Sequence, residues 1–422
     1  MNSSNETIFI NVESARSETE LADRIRQALQ DAGPSESHLR FDLFSSSGVA
    51  RLIRALNALR PPSNVRLSAL LAAELFADAR IRRGLELVGV AELRELRSGG
   101  AKAAASCSTP VDGFPEDLIS LHNWELGASG ASEAVLRITY RCNARCPFCW
   151  VGNEKAEPAA ETIDAALAAL AGLQVKELSF SGGEPMLNPD LARWVARARE
   201  LGIPRVILQT NGSLLASATR LRALRLAGLD MLLLAVHAAE AESGRRAFGG
   251  LLDGETPWNA LDTALAEGLA VVANTVFYAE NVSQLLPIAA RLLETARRHG
   301  RDLYWNISSA APMGATEQAY RSLAPRLEDL RRVLPEAIRL LHDSPVRIRG
   351  FESACGLPLC VLGDAIGLLE DLPSHPELGD DFFHPPVCDG CSMRSHCFGL
   401  RRRYAELFGA DELRPYPENP RG

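Results

Sequence analysis

Three cysteines lie within one ten-residue segment, "RCNARCPFCW", at positions 141–150. Their spacing is C-x-x-x-C-x-x-C, which gathers the thiols of Cys142, Cys146 and Cys149 on one short stretch of chain. Three thiolates can hold a zinc ion with one open position, or three irons of a [4Fe–4S] cluster. Neither a histidine nor a fourth cysteine lies nearby in sequence to complete a zinc site. The favoured interpretation is therefore a cluster that keeps one iron free for a ligand.

A second group of cysteines lies near the C-terminus. Cys388, Cys391 and Cys397 have the spacing C-x-x-C-x5-C, and Cys355 and Cys360 precede them. Pairs of the form C-x-x-C are also common in zinc sites, so zinc is the alternative here. About 200 residues without cysteine separate the two groups, and we therefore expect two separate metal sites.

Composition and charge limit the classes of protein to which the chain can belong. The formal net charge is -8 over 422 residues, which argues against a broad nucleic-acid-binding face. No run of about 20 apolar residues is present, so no membrane span is predicted. The segment "MNSSNETIFI" lacks a basic region followed by an apolar one, so no secretory signal is predicted. We expect a cytoplasmic protein whose thiols stay reduced.

Alternating strand and helix patterns predict an α/β fold that positions these cysteines. Residues 1–97 alternate strands and helices and predict a small α/β accessory domain. Residues 98–132 are rich in Ala, Gly and Ser and predict a linker, in which Cys107 is a free thiol. Residues 133–318 contain six β/α units, which predict a partial (β/α)6 TIM-like barrel with functional groups at the carboxyl ends of its strands. Residues 319–422 predict a helical, cysteine-rich extension.

The cysteine loop follows the first predicted barrel strand and resembles the signature of radical S-adenosylmethionine (SAM) enzymes, including Phe148 before the last cysteine. The next strand ends in "LSFSGGEP", which resembles the segment that receives the methionine amino group of SAM in that family. Glycine allows a backbone to approach a ligand closely, and a glutamate adds negative charge. The resemblance covers residues 134–315. The residues implied in this segment are Gly182, Gly183, Glu184 and Pro185.

Further strand ends match the same family. "QTNG" resembles its common Thr-Asn-Gly and implies Thr210 and Asn211 as SAM-binding residues. His237 in "AVHA" is an implied contact of the SAM ribose or carboxylate, and a polar rim residue without a ligand is the alternative. Asn274 in "VANTVFYAEN" is a further implied SAM contact, and the backbone of "SAAPMGA" is implied to meet the adenine.

The resemblance also implies a chemistry. The reduced cluster would pass one electron to the SAM sulfonium, which would yield methionine and a 5′-deoxyadenosyl radical that abstracts hydrogen from a substrate. An electron donor such as flavodoxin or ferredoxin is implied.

The C-terminal cysteines resemble the auxiliary-cluster segment of SPASM or twitch extensions, which follow the barrel in many radical SAM enzymes. This implies a second [4Fe–4S] cluster, with Cys355 as an alternate ligand. The four implied ligands are Cys360, Cys388, Cys391 and Cys397. A full SPASM pattern has a further cysteine where this chain has Arg401, so one auxiliary cluster is expected rather than two. The run Arg401 to Arg403 is expected to form a solvated helix face.

Two stretches of the N-terminal region resemble parts of a STAS domain, the interaction module of anti-sigma factor antagonists. They are "FDLFSSSGVARLIRAL" and "IRRGLELVGVAEL". Ser45 stands where that family usually has aspartate, and we interpret Ser46 and Ser47 as helix-capping residues rather than phosphorylation sites. The resemblance implies a protein partner for this domain.

Three functional hypotheses follow. Enzymes with a similar architecture oxidise or cross-link ribosomal peptides, dehydrogenate sugars or alcohols, or epimerise substrates. We predict a peptide substrate, and dehydrogenation or epimerisation of a small natural product or sugar is the alternative. A hypothesis of another class is a non-catalytic interaction protein whose cysteines hold structural zinc. The "SGGEP" segment at a strand end disfavours that last hypothesis.

Overall fold

The structure is a computed structural model of the 422-residue chain. It divides into two compact units, residues 1–101 with 125–129, and residues 102–124 with 130–422. The residues that the structure describes are 7–11, 18–31, 37–43, 46–59, 65–71, 85, 90–95, 111, 114–115, 117–122, 133–149, 151, 155–215, 217–311, 317–351, 357–369, 372 and 381–417.

The first unit contains a parallel sheet of four strands in the order β1-β2-β3-β4. The strands are β1 (Thr7–Asn11), β2 (Ser37–Leu43), β3 (Val65–Leu71) and β4 (Val90–Glu95). Helices α1 (Glu18–Asp31) and α2 (Ser46–Leu59) pack against each other and bury Leu21, Ile25 and Leu52. The small α/β accessory domain over residues 1–97, with those bounds, stays a prediction. Between β3 and β4, only Leu85 of residues 72–89 is among the described residues.

The second unit contains a sheet of eight strands in the order β12-β11-β10-β9-β8-β7-β6-β5. Strands β6 to β12 are parallel, and β5 pairs antiparallel with β6. The strands are β5 (Ile119–His122), β6 (Glu133–Thr139), β7 (Glu177–Gly182), β8 (Arg205–Thr210), β9 (Met231–Ala235), β10 (Ala270–Phe277), β11 (Leu303–Ser309) and β12 (Val346–Arg349). This is an open, partial TIM-like barrel, as predicted.

Helices follow the barrel strands because their sequences carry an apolar stripe at helical spacing. In the helix after β7, buried Leu191, Trp194, Val195 and Ala198 recur at i, i+3, i+4 and i+7. The helices are α3 (Ala160–Gly172), α4 (Leu191–Glu200), α5 (Ala218–Ala227), α6 (Ala241–Ala247), α7 (Thr256–Ala266), α8 (Leu285–His299), α9 (Glu317–Leu323) and α10 (Leu327–Leu341). Among the described residues, no helix is long and apolar enough to cross a lipid bilayer.

Two strands correct the sequence prediction. Strand β5 lies within residues 98–132, which were predicted to be a linker, and its Ile119 is buried beside β6. Strand β12 adds a seventh parallel strand to the six predicted units. Each is only four residues long, and the "VRIR" of β12 carries two arginines, so neither gives a strong strand pattern.

Alternation along the strands gives the sheet one apolar and one polar face. On β10, Val271, Ala273 and Phe277 are buried, whereas Asn274 between them is only half-buried. Paired residues of adjacent parallel strands point to the same side of a sheet, and Asn274 pairs in register with Asn306 on β11. We call this polar side the inner face. It includes Ser181, Gln209, Asn274, Tyr304, Asn306 and Arg349.

The C-terminal extension is built from short elements. A 3-10 segment, Leu359–Leu368, packs on α10, and β13 (Phe382–Phe383) pairs antiparallel with β14 (Leu400–Arg401) before α11 (Arg402–Phe408). Arg401 is buried, lies over the Phe382 ring at 4.7 Å and pairs with Asp381 at 3.7 Å. The prediction of a solvated helix face is therefore wrong for Arg401, because it ends a strand and packs against an aromatic ring.

Candidate cluster and cofactor site

The cysteine loop begins where β6 ends. Cys142 and Cys146 are half-buried and Cys149 is exposed. Burial, and then the neighbouring thiols Cys149 and Cys142, raise the pKa of Cys146 to about 12. Burial raises the pKa of Cys142 as well. The thiols of Cys142 and Cys146 therefore favour the protonated form at neutral pH unless a cation binds them, since metal binding deprotonates a coordinating thiol. The three sulfurs thus form a donor set that suits iron or another soft cation.

A carboxylate fixes the backbone that leads into this loop. Glu157 accepts hydrogen bonds from Thr139 Oγ1 at 2.6 Å, from the Tyr140 N–H at 2.8 Å and from the Arg141 N–H at 3.0 Å. Burial works to raise the pKa of Glu157, but the three donors outweigh it and hold that pKa below its usual value. Sequence reasoning missed Glu157, because it belongs to no recognisable spacing with the cysteines.

The Gly-Gly-Glu-Pro segment lies against the same stretch of backbone. Gly182 has φ +134°, and a Cβ there would meet the Thr139 carbonyl oxygen at 2.0 Å. A Cβ on Gly183 would meet the Arg141 carbonyl oxygen at 2.1 Å. The N–H groups of Gly183 and Glu184 donate to those two carbonyls, each at 2.8 Å. Both glycines are therefore required for the contact between this segment and the cysteine loop, in addition to the predicted approach to a ligand.

Glu184 connects the carboxyl ends of β7 and β8. Its Oε1 accepts from Thr210 Oγ1 at 2.7 Å and from the Met186 N–H at 3.1 Å, and its Oε2 accepts from the Asn211 N–H at 2.8 Å. The side chain is buried, and burial raises its pKa against the effect of these donors. Contact of Glu184 with the SAM amino group stays a prediction. Both carboxylate oxygens of Glu184 accept hydrogen bonds from protein donors, so Glu184 helps to position the ends of β7 and β8. The sequence did not reveal this role. Pro185 begins the short 3-10 turn that follows.

A second connection joins the cysteine loop to the end of β8. Asn211 Nδ2 donates to Asn143 Oδ1 at 2.9 Å, and Asn143 Nδ2 donates to Ser213 Oγ at 2.8 Å. The Ser213 N–H in turn donates to Asn211 Oδ1 at 2.9 Å. Asn143 and Ser213 were missed by sequence reasoning. The side chain of Asn211 binds the residue next to Cys142, and its predicted contact with SAM stays a prediction.

His237 lies at the end of β9 among aromatic rings. Its ring centroid is 4.8 Å from that of Phe148 in the cysteine loop and 5.5 Å from that of Phe248. Burial lowers the pKa of His237 to about 3, so the imidazole is neutral. Its Nδ1 accepts from the Val276 N–H at 3.3 Å, which places the proton on Nε2. The side chain is thus a neutral N–H donor beside the loop, and its predicted contact with SAM stays a prediction.

Polar side chains extend from this region over the inner face. Asn306 Nδ2 donates to Asn274 Oδ1 at 2.7 Å, and Ser181 Oγ donates to Gln209 at 2.9 Å. Asn274, a predicted SAM contact, keeps its own amide donors available to a ligand.

Four C-terminal cysteines line one recess. They are Cys360, Cys388, Cys391 and Cys397. Burial raises the pKa of Cys397 to about 12 and that of Cys388 to about 11. The N–H groups of Leu359 and Gly399 donate to the Cys397 sulfur at 3.4 and 3.2 Å. Four thiols and backbone N–H donors to sulfur suit a [4Fe–4S] cluster. Cys355 and Cys107 lie outside the described residues.

Within the described parts of the chain, no three His, Cys, Asp or Glu side chains converge as ligands of one metal ion. The thiolates of a four-iron cluster bind different irons, so they do not need to converge in this way.

Comparison with known proteins identifies the domain. The Radical SAM superfamily model matches residues 136–292. PqqA peptide cyclase of Gluconobacter oxydans (strain 621H) is 36% identical over 153 residues, which are 35% of this chain and 42% of that protein. GTP 3',8-cyclase of Synechococcus sp. (strain CC9605) is 32% identical over 194 residues, which are 40% of this chain and 54% of that protein.

The matches are partial. PqqA peptide cyclase of Methylorubrum extorquens (strain PA1) is 28% identical over 226 residues, which are 50% of this chain and 54% of that protein. The chain thus spans about half the length of the curated relatives it matches. The solved structure of native anSMEcpe with bound AdoMet and Kp18Cys peptide aligns with a TM-score of 0.47 at 14% identity, over 67% of this chain and 93% of that one.

The matched residues contain the loop of Cys142, Cys146 and Cys149 and the Gly-Gly-Glu-Pro segment that lies against it. The family uses a [4Fe–4S] cluster and SAM, and the three thiols fit that cluster with one iron left open. Residues 136–292 of this chain are a radical SAM domain.

Proposed function

We propose that this chain is a radical SAM enzyme that cleaves SAM reductively and abstracts hydrogen from a peptide, as in ribosomal peptide maturation. The observation that carries the proposal is the contact between the cysteine loop and the Gly-Gly-Glu-Pro segment. Gly183 lies directly against the Arg141 backbone, one residue before Cys142. This brings a three-thiol loop and a glycine-lined strand end together at the carboxyl edge of a parallel sheet, where barrel enzymes place their active sites.

The residues around the loop hold it in one geometry. Cys142, Cys146 and Cys149 would ligate a [4Fe–4S] cluster, which supplies the electron for reductive cleavage of SAM. Glu157 fixes the backbone before the loop, and Asn143 and Asn211 connect the loop to β8. Such fixed contacts keep a reactive group in place.

Aromatic and neutral groups limit water and charge near the loop. Phe148 and Phe248 each pack against the ring of His237, and Tyr278 packs on Phe148 at 5.2 Å. Because His237 is neutral, it can donate from Nε2 to a ligand oxygen without adding charge. A packed apolar site of this kind protects reactive intermediates from side reactions.

The C-terminal recess would hold an auxiliary [4Fe–4S] cluster on its four thiols. A complete set of four protein ligands leaves no open iron, which suits electron transfer rather than substrate binding. Cys360 lines the recess, and this supports it as the fourth ligand. Cys355 stays the alternate ligand. Zinc in the recess stays the alternative.

The relatives support a peptide as the substrate. Several of them are PqqA peptide cyclases, whose name gives a peptide as the substrate. A small-molecule substrate is the second candidate, because GTP 3',8-cyclase matches the same region at similar identity. An electron donor such as flavodoxin or ferredoxin, a cytoplasmic location and a protein partner for the N-terminal unit complete the proposal.

The proposal is tested by anaerobic reconstitution followed by reduction with dithionite in the presence of SAM. We expect 5′-deoxyadenosine from the wild-type chain and none from Cys146→Ala. Formation of 5′-deoxyadenosine by Cys146→Ala at the wild-type rate would show that the cysteine loop is not the site of SAM cleavage.

A further inference from the structure

An arginine on the inner face, Arg349, pairs with no carboxylate of the described part of the chain. Arg349 is the last residue of β12, the parallel edge strand of the barrel, and its side chain is exposed. Among the residues that the structure describes, no Asp or Glu pairs with it. The contrast with Arg222 on the outer helices is clear, because Arg222 pairs with both oxygens of Glu267 at 2.7 Å.

A ring contact of its own side chain and a close backbone approach at the next residue position Arg349. Its guanidinium lies over the ring of Tyr304 with the Cζ atom 4.1 Å from the centroid, a cation–π geometry that favours the charged arginine. The next residue, Gly350, has φ +116°, and a Cβ there would meet the Ile307 carbonyl oxygen at 2.1 Å. The backbone of β12 therefore ends tightly against β11, and a stacked guanidinium keeps its edge N–H groups available.

Arg349 stands in line with groups already described near the cluster loop. Strand register places Arg349 beside Asn306 and Asn306 beside Asn274, on the same side of the sheet. Asn306 and Asn274 are joined by a 2.7 Å hydrogen bond. The row thus connects a predicted SAM contact to the guanidinium of Arg349 at the edge of the barrel.

We propose that Arg349, supported by Tyr304, binds a carboxylate of the peptide substrate at the edge of the inner face. The inference rests on the proposed function and names the chemistry of its substrate. A planar guanidinium matches a carboxylate with two parallel N–H donors. The carboxylate is either an acidic side chain or the C-terminus of the peptide, and both sources present the same two oxygens.

The test measures protection of Arg349 from phenylglyoxal in the full-length chain, quantified by mass spectrometry. The probes are the acetylated Gly-Glu-Gly amide, the acetylated Gly-Gln-Gly amide and the acetylated Gly-Gln-Gly free acid. We expect at least one of the acids to protect Arg349 at concentrations about tenfold lower than the neutral amide does. Protection by the glutamyl amide identifies a side-chain carboxylate, and protection by the free acid identifies the C-terminus. Arg220 on α5 is also exposed, and its modification by phenylglyoxal is the reference for that of Arg349 in the same molecule.

Two variants sharpen the result. Arg349→Lys keeps the charge without the planar fork, and Tyr304→Leu removes the ring beneath it, so both should weaken binding of the protecting acid severalfold in calorimetry. Arg220→Gln should leave that binding unchanged.

The proposal is wrong if the neutral amide protects as well as the acids, or if no probe protects Arg349 more than Arg220. Because the assay needs no SAM cleavage, a failure here is distinguishable from failure of the proposed function, which the 5′-deoxyadenosine assay on the wild-type chain measures.

Discussion

The side-chain amide of Asn211, at the end of β8, donates a 2.9 Å hydrogen bond to Oδ1 of Asn143 in the cysteine loop. Asn143 is the residue after Cys142, so the end of β8 directly holds the loop that carries the first thiol. Asn143 also donates to Ser213 at 2.8 Å, which makes the connection two-sided. We therefore expect retention of the proposed cluster to depend on the third barrel strand as well as on the first.

Asn143→Ala should weaken cluster retention. The change removes both hydrogen bonds and frees the loop between Cys142 and Cys146, so reconstituted iron should be lost to a chelator severalfold faster than from the wild-type chain. Loss of iron is followed by the absorbance of the chelate. Asn259→Ala is the matched control, because Asn259 is an exposed residue of α7. Equal rates of iron loss from Asn143→Ala and wild type would contradict the role of this contact.

Gly183→Ala should disrupt the contact between the Gly-Gly-Glu-Pro segment and the loop. The added Cβ would lie 2.1 Å from the Arg141 carbonyl oxygen, and that oxygen belongs to backbone that cannot rotate away. We expect a loss of about 1–3 kcal/mol in the free energy of unfolding, the usual range for overpacking. Gly172→Ala is the control, because nothing lies within 4 Å of a Cβ at that position. Urea unfolding of both variants measures the difference, and equal stabilities would show that the segment moves away at little cost.

His237 should make stability depend on pH. Its folded pKa is lowered to about 3 by burial, whereas an unfolded histidine titrates near 6.5. Between these values the unfolded chain binds the additional proton, so stability falls as pH decreases from about 6.5 toward 3. The slope from this group approaches about 1.4 kcal/mol per pH unit.

His237→Gln is the matched variant for that measurement, because an amide carries no titrating proton in this range and can still accept from the Val276 N–H. Denaturant unfolding at pH 7, 6 and 5, followed by tryptophan fluorescence, should show a smaller loss of stability in His237→Gln than in the wild-type chain. Parallel pH profiles for the two proteins would mean that His237 is protonated or exposed in the folded chain.

The sequence predicted much of the site because its motifs are local. Three thiols spaced over eight positions and a Gly-Gly-Glu-Pro segment after a strand are recognisable without knowing the fold. Glu157 and Asn143 were missed because their roles depend on hydrogen bonds to residues distant in sequence. Glu157 accepts from residues 139–141, and Asn143 binds residues that follow β8. Their residue types are ordinary in a polar loop, so no spacing identifies them.

The same distinction applies to the fold. Strands β6 to β11 were predicted because their apolar runs are long, whereas β12 has four residues and two arginines. Helix α10 contains Pro335 in its interior, where proline normally ends a helix, and the strong apolar stripe around it keeps the helix continuous. Arg401 was placed on a solvated face from its charge, but the ring of Phe382 buries it.

Replacement of the C-terminal cysteines should identify the fourth auxiliary ligand. Cys360→Ala removes a thiol that lines the recess, so reconstituted iron should fall from about eight to about four per chain. Cys355→Ala should keep about eight irons. Iron and acid-labile sulfide are measured after anaerobic reconstitution. If Cys355→Ala loses about four irons and Cys360→Ala keeps about eight, Cys355 is the ligand. Zinc without iron in both variants would favour a structural zinc site.

The central claim is that Cys142, Cys146 and Cys149 hold a cluster with one iron open to SAM. The most direct measurement is electron paramagnetic resonance of the reduced cluster with and without SAM, in a Cys388→Ala/Cys391→Ala variant in which the auxiliary site is emptied. We predict a reduced [4Fe–4S] signal whose g values shift when SAM is added. If the variant contains about four irons and SAM leaves the g values unchanged, the cluster has no iron open to SAM and the claim is wrong.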